Sequence, residues 1–163
     1  MHGLNRLPLH HPLTCFIGHT VFVYFSTVQH YRLNFHYSTF MTITPDEIVR
    51  SFCDEWANGD IESILSYFDD SAIYHNIPMS PANGLAEIRS FIEGFFATAT
   101  SIDFEILHQV AAGQIVMNER VDTLVIGDAS TKLPVAGIFK IENGKITEWR
   151  DYFDMAQFTA GLT

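Results

Sequence analysis

From Ser101 to Asp154 the chain reads as strand after strand. "SIDFEILHQVAA", "GQIVMNERVDTLVIG", "TKLPVAGIFKI" and "KITEWRDYF" follow one another, broken by turn signals at Ala112–Gly113, Gly127–Asp128 and Asn143–Gly144. Side chains alternate with period two through these segments, and Asn-Gly is a strong two-residue hairpin signal, so the pattern predicts consecutive long antiparallel strands. Ahead of them the period is helical. In "TPDEIVRSFCDEWANGD", Thr44 is placed to cap a helix, Pro45 opens it, and Asp46 and Glu47 sit in its first turn. Ile48, Phe52 and Trp56, with Val49 and Cys53 beside them, form one apolar stripe that Gly59 ends.

Asp60 then caps a second helix, "IESILSYF"; "SAIYHN" reads as a short strand, "MSPANG" as a loop, and "LAEIRSFIEGFFATA" as a third amphipathic helix. Asp154 caps a closing helix, "MAQFTAG". Helices followed by a run of antiparallel strands predict an α+β fold: a curved, mostly antiparallel sheet forming a cone, with helices packed on its concave side around a pocket.

Charge narrows the partners. Residues 1–40 hold Arg6 and Arg32 and no acidic residue, whereas 41–163 hold 7 basic against 19 acidic side chains, a net of −12 with histidine neutral. Such a domain repels phosphate backbones and anionic lipid headgroups, so neither nucleic acid nor a membrane surface is expected as a partner, and a neutral or cationic ligand fits better. Two cysteines, Cys15 and Cys53, lie at no disulfide or metal spacing, and Cys53 reads as a small buried hydrophobe in a reducing, cytoplasmic setting. Six of the eight histidines precede Met41, interleaved with aromatics. That leader has neither the basic start and small-residue cleavage site of a secretory signal nor an apolar run long enough for a membrane span, and its spacings match no metal-ligand pattern. Residues 1–40 are therefore expected to be an extension outside the fold, with one domain starting at "MTITPDEIV" and running over 41–163.

"NERVD" and "WRDYFD" place Arg beside Asp within strands that otherwise read as buried. Residues i and i+2 of a strand share a face, so Tyr74 points with Asn76, Arg120 and Asp122 point with Asn118 and Leu124, and Asp151 points with Trp149 and Phe153. If the apolar members face inward, Arg120, Asp122 and Asp151 go with them, which is tolerable only if they pair. The guanidinium fork of Arg120 can bridge both carboxylates. Two carboxylates on one cation are neutral only when one keeps its proton, which creates an acid and a base side by side. The alternative is that Arg120 and Asp122 face solvent on an edge strand while Arg150 pairs with a surface carboxylate.

"YHN" at 74–76, "ERVDTL" at 119–124 and "GKITEWRDYFD" at 144–154 resemble, in order and spacing, the motifs of the limonene-1,2-epoxide hydrolases, a likeness that spans roughly residues 44–160. The resemblance implies a cone-shaped, usually dimeric α+β domain that opens an epoxide with water in one step, without a covalent intermediate, a metal or an organic cofactor. It casts Asp151 as general base, Tyr74 and Asn76 as holders of the water, Asp122 as general acid and Arg120 as the bridge between the carboxylates. Phe95, Leu124, Leu133, Val135, Phe153 and Phe158 would line the substrate pocket, Ala99 and Ala136 would widen it, and His75 would point away from it. The expected partners are thus a small apolar epoxide, water and a second copy of the chain. A cyclase or isomerase with a single carboxylate base, or a non-catalytic binding module, is the competing expectation.

Overall fold

The structure, a computed structural model, describes residues 14–17, 20–23 and 43–160. The chain divides into two units, Met1–Phe40 and Met41–Thr163. In the first, β1 (Thr14–Ile17) pairs antiparallel with β2 (Thr20–Val23). The rest of the leader, and with it most of the expectation about residues 1–40, lies outside the described residues.

The second unit opens with α1 (Pro45–Asn58). Its start is a capping box: Glu47 N–H donates to Thr44 Oγ1 at 3.3 Å and Thr44 N–H donates to Glu47 Oε2 at 2.8 Å. Gly59 ends it in the left-handed region at φ 70, where a side chain would be strained. Ile48, Val49, Phe52, Cys53 and Trp56 are all buried, and each large apolar member contributes roughly 1.5–3 kcal/mol by leaving water. Asp60 Oδ1 accepts from Glu62 and Ser63 N–H to start α2 (Ile61–Ser66). The helix stops two residues short of the sequence expectation because Phe68 pairs with Ile146 and begins β3 (Phe68–Asn76). "MSPANG", read as a loop, contains a two-residue strand, β4 (Ala82–Asn83), paired with Ile73 and Tyr74. Then come α3 (Gly84–Phe96), β5 (Ser101–Ala112), β6 (Ile115–Ile126), β7 (Ala129–Glu142), β8 (Lys145–Tyr152) and α4 (Met155–Ala160).

The six strands form one curled, unclosed sheet in the order β4-β3-β8-β7-β6-β5. All neighbours are antiparallel except β3 and β8, which run parallel. Helix α1 lies against β5 and β6, and α3 against β3. The core is aromatic: the Trp149 ring stacks on Tyr74 at 3.9 Å and on Phe139 at 5.6 Å, and meets Phe52 edge-on at 5.0 Å. Among the described residues no helix is long and apolar enough to cross a membrane.

Candidate active site

Strand β6 alternates strictly. Val116, Asn118, Arg120, Asp122 and Leu124 are buried, and the residues between them are exposed or half-buried. The period that buries Leu124 therefore carries a guanidinium inside, and Arg120 is 0% exposed. Strand β7 opposes this row with Leu133, Val135 and Gly137. Gly137 is the cross-strand partner of Asn118 on one side and of Asp151 on the other. It is a gap in the row: a Cβ there would collide with Arg120 Nη1, Asn118 Oδ1 and the Phe139 ring. Across β8, the parallel register sets Asn76 beside Asp151 and Tyr74 beside Trp149.

Arg120 uses all five of its N–H groups. Nε donates to Asp122 Oδ1 at 2.7 Å, and Nη2 donates to Asp122 Oδ2 at 3.1 Å and to Asp151 Oδ2 at 2.5 Å. Nη1 donates to Asp151 Oδ1 at 3.1 Å and to Asn118 Oδ1 at 3.3 Å. The guanidinium carbon also lies 4.7 Å from the centre of the Phe104 ring, a cation–π contact on its apolar side. The solvent-facing alternative is thus ruled out for Arg120 and Asp122. Its other half holds, since Arg150 pairs with Glu148 at 2.6 Å, half-buried on the opposite face.

Burial dominates the electrostatics. It raises the Asp122 carboxyl to about 7, with Arg120 opposing and the charge of Asp151 adding to the rise. Burial also raises Asp151, against the charge and hydrogen bonds of Arg120 and the Trp149 N–H. Asp151 accepts three N–H bonds, two from Arg120 and one from Trp149 Nε1 at 2.7 Å, whereas Asp122 accepts two. The single proton of the pair therefore belongs on Asp122. Burial tends to lower Arg120, but the charges of Asp151 and Asp122 outweigh it and hold the guanidinium well above its ordinary value. Burial, followed by the charge of Asp151, raises the Tyr74 hydroxyl, which stays neutral and accepts from Asn76 Nδ2 at 2.8 Å.

Tyr74, Asn76, Asp122 and Asp151 open onto one cavity of about 360 Å³. Phe95, Leu124, Leu133, Val135, Phe153 and Phe158 all line it. Trp56, Met79, Phe91 and Phe104 line it too and were not anticipated, although Phe91 lies one helical turn before Phe95 on α3. Ala99 and Ala136 do not widen it: Ala99 is core, and Ala136 is exposed on the outer face of β7. His75 contacts the Met79 carbonyl oxygen at 3.0 Å, away from the carboxylates. Cys53 is buried, with burial pushing its thiol up to about 12, so it stays a neutral apolar group.

The family model of the limonene-1,2-epoxide hydrolase catalytic domain matches residues 43–163. The chain belongs to the limonene-1,2-epoxide hydrolase family. It is 30% identical over 116 residues to epoxide hydrolase EphG of Mycobacterium tuberculosis, covering 70% of this chain and 76% of that protein. The solved structure of an M. tuberculosis limonene-epoxide-hydrolase-like epoxide hydrolase superposes with a TM-score of 0.66 at 28% identity, covering 72% of this chain and 88% of the other. A SnoaL-like polyketide cyclase structure from Shewanella putrefaciens matches at a TM-score of 0.65 and 18% identity, over 72% of this chain and 95% of that one, which shows a shared fold.

Proposed function

We propose that residues 41–163 add water to a small apolar epoxide, giving a vicinal diol in one step by general acid–base catalysis. The observation that carries this reading is the division of one guanidinium between two buried carboxyls at the wall of an apolar cavity, with Asp122 raised to about 7. Water would sit against Tyr74, Asn76 and Asp151. Asp151 takes a proton as the water oxygen bonds to one epoxide carbon. The ring C–O bond at that carbon breaks, and the proton of Asp122 goes to the leaving oxygen.

Before the step Asp151 is charged and Asp122 neutral; afterwards the reverse holds. The cluster with Arg120 has zero net charge in both states, so turnover creates no uncompensated charge in a low-dielectric cavity. Arg120 Nη2 touches both carboxyls and needs no movement to follow the exchange. Positioned proton transfer is worth on the order of 10²–10⁴ per group, and the strained ring supplies the driving force.

A single-base isomerase or cyclase has no use for a second carboxyl on the same guanidinium. Two measurements test the proposal. Styrene oxide, cyclohexene oxide and limonene oxide are each assayed for diol, and a protein that converts none of them is not the enzyme described. A single turnover in ¹⁸O water should place label in the first diol formed. Unlabelled first-turnover diol would mean that a carboxylate oxygen had been transferred through an ester.

A further inference from the structure

We propose that Asn118 and Gln109 form an amide relay that sets the angle of the Arg120 guanidinium, making them positioning residues of the site. The inference rests on the acid–base reading above. It begins with the fifth N–H of Arg120, which goes to neither carboxylate but to Asn118 Oδ1 at 3.3 Å. Asn118 is 5% exposed and does not line the cavity. Its Nδ2 donates to Gln109 Oε1 at 3.4 Å, and Gln109 Nε2 donates onward to Asp46 Oδ1 at 2.9 Å and to the Asp46 backbone oxygen at 3.0 Å.

Each amide has one possible orientation in this chain. The two Asp46 atoms that Gln109 meets, Oδ1 and the backbone oxygen, can only accept, so Gln109 must turn its NH₂ toward them and its oxygen toward Asn118. Asn118 must then donate to Gln109 and present its oxygen to Arg120, which can only donate. The direction is fixed from the first turn of α1 to the guanidinium, through two neutral groups.

Strand β5 is built to permit this. The alternation Ile102, Phe104, Ile106 would next turn His108 inward. The pairing with β6 instead slips between Ile106 and His108, so that Leu107 is the additional residue of a bulge. His108 consequently faces outward, where it meets Glu119 at 2.9 Å, and Gln109 falls opposite Asn118. An amide of neutral charge thus occupies the place where regular pairing would put an imidazole.

The charged or titratable groups around the relay and the pair are Asp46, Arg50, Cys53 and Asp54 of α1, Tyr74 of β3 and Asp103 of β5. They are unchanged in the test, which uses the full chain with Asn118→Leu and, separately, Gln109→Leu. With an epoxide that the wild type turns over, Asn118→Leu should lower kcat about tenfold or more, because a buried guanidinium N–H is left unpaired. KM should stay within about twofold, since neither residue lines the cavity. Without substrate, ¹³C NMR titration of the Asp122 and Asp151 carboxyls should show the apparent values of the pair moving up, as Arg120 tilts and its bonds to them lengthen. Gln109→Leu should do the same to a smaller degree.

A folded Asn118→Leu with unchanged kcat and unchanged titration overturns the relay. If that variant does not fold, half-buried Gln109 decides alone, and an unshifted titration in Gln109→Leu is the overturning result. A wild type that opens no epoxide defeats the reaction, not the relay, which the carboxyl titration still judges.

Discussion

Replacing Asp122 by Asn removes the proposed acid and should also make the protein more stable at neutral pH. Asp122 is 7% exposed, and its carboxyl titrates at about 7 in the folded state against 3.8 for the unperturbed group. The fold therefore holds that proton about a thousandfold more tightly than the unfolded chain does, a difference of roughly 4 kcal/mol. Because the folded value is the higher one, this stability is fully present below pH 3.8 and drains away as the pH climbs to about 7. Asparagine keeps the size and neutrality of the protonated acid and has nothing to ionise, but its NH₂ cannot accept one of the two N–H bonds that Arg120 gives Asp122.

The stability gap between Asp122→Asn and wild type should accordingly start negative at pH 4, by about 1–3 kcal/mol for the Arg120 N–H left facing the amide NH₂, rise by about 1.4 kcal/mol per pH unit and level off above 7 after a total change near 4 kcal/mol. In a domain of this length that total is a change in melting difference on the order of 10–20 °C. Thermal melts by circular dichroism at half-unit steps from pH 4 to 8.5 read the gap directly, and diol formation should meanwhile fall about 10²–10⁴-fold. A gap that stays flat across that range would show Asp122 ionising like an exposed carboxylate, and the protein would then have no proton to give at pH 7.

Arg120→Lys keeps the charge but offers three donors where five are used. Losing two charge-assisted bonds at about 1.5–3 kcal/mol each should cut kcat by at least about a hundredfold, and a lysine variant within tenfold of wild type would remove the bridge from the scheme. Gly137→Ala should be nearly as damaging, because the methyl group enters the space of Arg120 Nη1 and Asn118 Oδ1. A crystal structure of that variant with the guanidinium unmoved would contradict the steric argument. The rate should fall on both sides of a pH optimum. The alkaline side reports loss of the Asp122 proton near 7 and should vanish in Asp122→Asn assayed on its residual rate; a profile still falling there would assign the flank to another group.

The strands were legible because their turns are chemically marked: β5 runs Ser101–Ala112, as expected from Ala112–Gly113, and β7 meets β8 at Asn143–Gly144. Arg120, Asp122 and Asp151 stood out because period two locks charged residues to the same face as Leu124 and Trp149. The end of α2 was not legible, since Tyr67 and Phe68 suit a helix stripe and a strand equally and only the pairing with Ile146 decides. Trp149 passed as a hydrophobe, its indole N–H giving no sign of the carboxylate two residues on. Gln109 was hidden for a different reason: a bulge changes which residues face inward without a residue type that announces it.

The join between β3 and β8 has a consequence for how the site assembles. Tyr74 and Asn76 enter the chain well before Asp151 and meet it through the one parallel pairing of the sheet. The Arg120–Asp122–Asp151 cluster instead grows along the β6–β7–β8 meander, where each strand turns directly into the next. Loop closure makes the long-range pairing the slower to form, so a refolding molecule should gather its carboxyls before Tyr74 and Asn76, the proposed water holders, reach Asp151. Gentle denaturation should run that order backwards and release Tyr74 and Asn76 while the charged centre is still whole.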